Sequence, residues 1–230
     1  MELSPYTQFT PYLSHSTFCC KFDSNHFIDS DFSSYQIFSP LQLQKAVTKR
    51  KAEYLAGRFC AKKVLNALGI FSFDILSGND RAPIWPDKVI GSITHTQGIA
   101  MAMAMASQRT DIAGIGIDIE QLMSAKQERE LQEQILHPND YPQFRLFAEQ
   151  VSHPLTIIFS AKESIFKALY ASVKQFFGFE AATLIAFNEQ QLQFKITQAL
   201  SPQVPKDTYL TVFYQCDKNI VLTECEFKNS

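Results

Sequence analysis

No Cys-x-x-Cys pair occurs in this chain, and its five cysteines, Cys19, Cys20, Cys60, Cys216 and Cys225, are odd in number. Neither a disulfide scaffold nor a zinc ribbon fits that inventory, and reduced thiols in a cytoplasmic protein are the expectation. Charge of one sign is lacking too. Lys and Arg number 21 against 23 Asp and Glu, so no global basic field draws in nucleic acid. The longest apolar run, Ile99 to Ala106, falls far short of the roughly 20 residues a bilayer-spanning helix needs. The opening Met-Glu-Leu-Ser-Pro has neither the basic nor the apolar region of a signal peptide. No low-complexity linker and no internal repeat is visible. Tryptophan occurs once against 20 Phe, which predicts a Phe-lined core. What is present, 46% hydrophobic and 19% charged residues over 230 positions, is enough to fold one large domain or two small ones.

Taken in order, Thr17–Phe22 is a candidate strand, and His15 and His26 read as surface or capping residues. Ser39-Pro-Leu-Gln42 places an N-cap, a first-turn proline and a capping-box Gln together, predicting a helix that opens at 39. Leu43, Val47, Tyr54, Leu55, Phe59 and Leu68 give it an apolar face, and Gly69 closes it. Its polar side carries Lys45, Lys49, Arg50, Lys51, Arg58, Lys62 and Lys63 against Glu53 alone. A solvated face is the plain reading of such a run; an anionic ligand or partner is the functional one. Asn79–Pro86 is a loop stiffened by Pro83 and Pro86, presenting Arg81 and Trp85, unless Trp85 simply plugs the core.

Val89–Thr94 reads as a strand running into Thr94-His95-Thr96. Ile99–Ala106 alternates Met and Ala strictly, so a strand there has one small face on which a helix can pack closely. Core packing, rather than a methionine metal site, is the expectation for the other face. A turn at 107–110 and a strand from Asp111 to Glu120 predict a hairpin with it. Helices follow over 124–136, near 143–148 and from Ser152-His-Pro154 through Leu169; strands follow at 183–187, 192–196, 209–215 and 220–223.

Asp118 and Glu120 are two apart on a strand and point to one side. Adjacent carboxylates repel, and a hard divalent cation offsets that cost. Gly114-x-Gly116 is weak evidence for a nucleotide loop, because the third glycine is absent. In Phe159-Ser-Ala-Lys-Glu-Ser-Ile-Phe-Lys167, Glu163 and Lys167 share a helical face. Three acids, one lysine, His95 in a hydroxyl-rich turn, and Arg58 and Arg81, whose guanidinium groups match phosphate, point to metal-assisted chemistry on a phosphorylated small molecule.

From Arg50 to Leu169 the chain resembles the 4′-phosphopantetheinyl transferases of the surfactin/enterobactin type, and within them the enterobactin-synthase component D branch. The resemblance rests on Arg50-Lys-Ala-Glu-Tyr-Leu-Ala-Gly-Arg58, Arg81-Ala-Pro-Ile-Trp-Pro86, Ser92-Ile-Thr-His-Thr96, Gly116-Ile-Asp-Ile-Glu120 and the Phe159–Lys167 segment. Each is weak alone; five in this order are specific. Phe159 stands where many relatives have Trp, and Thr94 where many have Ser.

The resemblance implies transfer of the phosphopantetheine arm of coenzyme A to a serine of an apo carrier protein, releasing 3′,5′-ADP. A peptidyl or aryl carrier of a siderophore-type nonribosomal synthetase is the implied acceptor. It implies that Asp118, Glu120 and Glu163 hold Mg²⁺, with Mn²⁺ as the alternative. Glu163, directly or through a water, is then the base, and Lys167 stabilises the departing phosphate. Thr94 and His95 match the Ser-His pair at the coenzyme A phosphates, Arg58 and Arg81 the arginines at the 3′-phosphate and adenine end, and Lys162 has a less certain phosphate role. The implied fold is an α/β (α+β) monomer in the cytoplasm, with at most a peripheral attachment to a synthetase complex. It is a pseudo-twofold pair of subdomains, 1–114 and 115–230, each a long helix on an antiparallel sheet with coenzyme A between them. Other readings are a holo-synthase for fatty-acid carrier protein, typically half this length and trimeric, a non-catalytic coenzyme A- or carrier-binding module, and a Mg²⁺ nuclease, for which no nucleic-acid footprint is seen beyond the basic helix.

Overall fold

The computed structural model describes residues 1–108 and 111–229. The chain divides into two compact units, Met1–Gln108 and Arg109–Ser230. The first contains strands β1 (Ser4–Pro5) and β2 (Ser16–Lys21), a short helix α1 (Asp31–Ser34), helix α2 (Thr48–Ala67), and strands β3 (Val89–Thr96) and β4 (Ile99–Ala106). The second contains β5 (Ile112–Gln121), α3 (Ala125–Ile135), α4 (Tyr141–Ala148), α5 (Pro154–Val173), and β6 (Ala182–Phe187), β7 (Gln191–Ile196), β8 (Tyr209–Cys216) and β9 (Ile220–Lys228).

The strands form two antiparallel sheets, ordered β1-β2-β4-β3 and β5-β9-β8-β7-β6. Each unit packs one 20-residue helix on its sheet, α2 on the first and α5 on the second, in keeping with the expected α+β class.

The Met/Ala strand behaves as its alternation predicts. Ala100, Ala102 and Ala104 join Cys60, Ala61 and Val64 of α2 in one core, so the helix rides directly on the alanine face. Met101, Met103 and Met105 are buried on the opposite face. Gly57 of α2 serves the same close approach, since a β-carbon there would lie 3.0 Å from Ile93 Cγ2 of β3. Trp85 is a plug: its ring lies against Gly91 of β3, where a β-carbon would come within 2.5 Å of it.

Two expectations are corrected. The helix predicted from Ser39 starts at Thr48; residues Leu41–Leu43 make one 3-10 turn and Val47 is extended. Between 39 and 51 only Leu43 is buried, so no apolar stripe supports a helix before Ala52, and capping residues alone do not pay for helix nucleation. The C-terminal end does match: Gly69 has φ +79°, with Gly69 N–H donating to Asn66 O and Ile70 N–H to Leu65 O. The predicted β4–β5 hairpin does not form, because the two strands belong to different sheets. β5 pairs with β9, about a hundred residues later, Asp118 lying opposite Thr223.

The second unit is arranged around α5, which is apolar on most of its circumference and correspondingly buried. Pro154 opens it at the first helical position. Glu128 of α3 accepts from Thr156 N–H at 3.0 Å and from the Thr156 hydroxyl at 2.9 Å, placing a carboxylate at the helix N-terminus. α3 itself opens on a reciprocal Ser124–Gln127 capping box.

Candidate active site

Gly114 and Gly116 bring β5 and α5 into backbone contact. A β-carbon on Gly114 would sit 1.8 Å from Ala168 O, and one on Gly116 1.8 Å from Ser164 O. This is what the Gly-x-Gly spacing is for; no phosphate loop is involved. The next residue on that face of β5 is Asp118, and the α5 residues facing it recur at helical spacing: Ser160, Glu163 and Lys167.

Asp118 is 4% exposed and held at both oxygens. Lys167 Nζ donates to Oδ1 at 2.7 Å and to Ile117 O at 3.0 Å. Ser160 Oγ donates to Oδ2 at 2.9 Å. Behind Ser160, the Thr223 hydroxyl of β9 donates to Ser160 O, and the Ser164 hydroxyl lies 2.6 Å from Thr223 Oγ1. The helix partner expected of Lys167 was Glu163; the contact it makes is to Asp118, 49 residues away. Glu163 is half-buried beside an apolar cavity lined by Phe166, Phe176, Phe177 and Phe179. Burial pushes its carboxyl above the ordinary glutamate value; Lys167 pulls it down, and the Asp118 charge pushes it up again. Glu120 follows Asp118 two residues on, half-buried, on the same side of β5.

Among the described residues, no three His, Cys, Asp or Glu side chains already stand together as a metal cluster. The donor chemistry nevertheless suits a hard cation: carboxylate oxygens only, and two of them near enough that Asp118 raises the proton affinity of Glu163. A divalent ion would relieve that repulsion.

Lys162, one residue before Glu163, is placed elsewhere. Its ammonium is buried and donates to Asp140 Oδ2 at 2.6 Å, Ile135 O at 3.1 Å and Phe179 O at 3.1 Å. All three of its donors are used within this unit. Asp140 was not singled out in the sequence; its only signal is its place in the Pro138-Asn-Asp140 turn.

In the first unit, His95 on β3 faces α2. Its Nε2 lies 3.2 Å from Arg50 Nη1, and its Nδ1 lies 4.0 Å from Glu53 Oε2. Thr94 is buried with Ser92 and Thr96 on the other face of β3, so the pleat turns the Thr94 and His95 side chains apart. Arg58 lies over the Tyr54 ring at 4.6 Å and donates to Ser77 Oγ at 2.8 Å. Arg81 is exposed at a left-handed position, φ +68°, in the turn closed by Arg81 N–H to Gly78 O. Part of the basic face of α2 has local duties: Lys51 pairs with Asp29 at 3.0 Å, and Lys62 donates to Gln36. Glu53, the one acid on that face, stands 3.9 Å from both Lys49 Nζ and Arg50 Nη1.

Ser160→Ala removes the hydrogen bond to a buried carboxylate oxygen. The expected loss is about 1–3 kcal/mol of unfolding free energy, read from a urea transition with unchanged slope.

A carboxylate pair with a lysine in the second unit, and guanidinium and imidazole groups in the first, are the side-chain types that an enzyme of the phosphoryl-transfer class uses. Comparison with known proteins makes that specific. Residues 39–105 match the 4′-phosphopantetheinyl transferase N-terminal domain, and residues 114–222 match the 4′-phosphopantetheinyl transferase superfamily. The chain is 32% identical to enterobactin synthase component D of Escherichia coli K12 over 94% of its length and 95% of that protein. It is also 32% identical to the Salmonella typhimurium LT2 protein of the same name, over 85% of this chain and 83% of the relative. With the 4′-phosphopantetheinyl transferase PptT of Mycobacterium tuberculosis it shares 31% identity over 61% of this chain and 60% of that protein. The chain belongs to the 4′-phosphopantetheinyl transferase family, and its reaction is the transfer of phosphopantetheine from coenzyme A to an apo carrier protein.

Proposed function

We propose that Asp118, Glu163 and Lys167 carry the phosphoryl transfer, that Asp118, Glu120 and Glu163 are the Mg²⁺ ligands, and that the acceptor is a carrier domain of an enterobactin-type siderophore synthetase. The observation carrying the first part is the convergence of Lys167 on Asp118 beside a half-buried Glu163 of raised proton affinity. The carrier class rests on the similarity to enterobactin synthase component D.

Glu163 takes the proton from the carrier serine as its oxygen attacks the β-phosphorus of coenzyme A. The bond from that phosphorus to the oxygen of the α-phosphate breaks, and 3′,5′-ADP leaves. Lys167 donates a hydrogen bond to the phosphate that gains charge. A bound divalent cation supplies neutralisation of the diphosphate charge. Burial of Asp118 keeps water from competing for its oxygens and holds the carboxylate fixed. Arg58 and Arg81 take the 3′-phosphate and adenine end, and His95 takes a phosphate oxygen.

Among the described residues, no helix is long and apolar enough to cross a membrane. The proposed setting is a monomer in the cytoplasm.

The test incubates the protein with coenzyme A, Mg²⁺ and either an apo aryl or peptidyl carrier or an apo fatty-acid carrier, reading intact mass. Gain of one phosphopantetheinyl unit, faster on the synthetase carrier, is expected. Preference for the fatty-acid carrier would overturn the carrier assignment, and no gain on either would overturn the activity. In the same assay Arg58→Ala is expected to raise KM for coenzyme A about tenfold or more, with kcat little changed, as loss of a charged contact to a remote phosphate requires.

A further inference from the structure

We infer that the Lys162–Asp140 pair is a positioning device that fixes the rotation and slide of α5, and through it the setting of Glu163. The inference rests on the reading of Glu163 given above.

The pair is densely bonded to its surroundings. Lys162 reaches Asp140, the last α3 carbonyl at Ile135, and the Phe179 carbonyl just before β6. Asp140 in turn accepts Leu184 N–H of β6 at 2.7 Å on Oδ1, and His137 N–H at 2.8 Å on Oδ2. Five hydrogen bonds therefore join α5 to the end of α3, to the turn before α4 and to both ends of the 179–184 segment.

Both side chains are essentially out of solvent, 1% and 0% exposed. A buried ion pair is a poor source of net stability, because desolvating two charges cancels most of their attraction, and apolar residues of like volume often serve the fold as well. What the pair adds is direction. Carbonyls approach Lys162 from two different elements, so α5 cannot turn about its axis or slip along it without losing charged contacts. Glu163 is the next residue, about 100° around the helix, and close enough to Asp118 to feel its charge. Small displacements there matter, since outer partners of functional groups typically govern 10–100-fold in affinity or activity.

The test uses Lys162→Met, and the neutral near-isosteric pair Lys162→Met with Asp140→Asn, in the full chain. Three quantities are read: thermal melting, Mn²⁺ binding by electron paramagnetic resonance with coenzyme A present, and steady-state kinetics. The expected result is a folded double variant that binds Mn²⁺ about tenfold or more weakly and loses kcat by a similar factor. KM for coenzyme A should stay within about twofold, because Lys162 has no donor left for a phosphate. Wild-type Mn²⁺ affinity and kcat in the folded double variant would overturn the inference. So would a raised KM at unchanged Mn²⁺ affinity, which marks a phosphate contact. Failure of both variants to fold overturns it as well, since the pair is then a stability element. Glu163→Gln, measured alongside, separates the two levels. If that variant binds Mn²⁺ and turns over normally, the reading of Glu163 falls and takes this inference with it. If it is impaired while the Lys162 variants are not, only the inference falls.

Discussion

Glu163→Gln is expected to cut phosphopantetheinyl transfer at least about 100-fold, and Asp118→Ala to do the same, with KM for coenzyme A moving less than kcat. The glutamine keeps the volume and a hydrogen-bonding oxygen but can neither accept the serine proton nor carry charge. The alanine removes the group that Lys167 and Ser160 both contact. Its loss leaves Lys167 donating to Ile117 O, with Glu163 as the carboxylate still near its ammonium. Because these groups act as a unit, the double variant should fall little below the worse single one. Single-turnover transfer to an apo carrier, with circular dichroism to confirm folding, reads the effect. Losses under tenfold in folded variants would remove both residues from the chemistry.

The second large effect is structural. Gly116→Ala places a β-carbon 1.8 Å from Ser164 O and 2.7 Å from Ala168 N, both backbone atoms of α5. No side chain can swing aside to make room; the helix must move off the strand. Destabilisation of about 3 kcal/mol is expected, with melting lowered by roughly 10 °C or more. Activity should fall further than stability predicts, because the same displacement separates Lys167 from Asp118. A variant that melts and turns over like the parent would mean that β5 and α5 are not in backbone contact.

That contact also marks the limit of what the sequence discloses. Asp118 and Glu120 are legible as a same-side pair from strand parity, and Glu163 with Lys167 from helical spacing, because both patterns are local. The partner of Lys167 lies on another element, and nothing local specifies it. Gly114 and Gly116 were visible, yet a glycine required by a neighbouring helix looks the same in sequence as a glycine in a loop. The β4–β5 hairpin fails for a related reason: alternation marks both stretches as strands but does not choose β9 over β4 as the partner. Lys162 sits inside the motif with Glu163 and Lys167, so charge alone groups the three, while burial separates them. The helix predicted from Ser39 shows the converse, a good cap with only Leu43 buried in the twelve residues behind it. The strand assignments, the alanine face for α2 and the Gly69 stop were readable because period and turn chemistry determine them directly.

The most direct test of the central claim is an anomalous difference map from a crystal of the protein grown with coenzyme A and Mn²⁺. A peak within coordinating distance of the carboxylates of Asp118 and Glu163, with Glu120 as the third protein ligand, is the predicted result. Coenzyme A bound with no manganese at those carboxylates, or with manganese held by other residues, would contradict it.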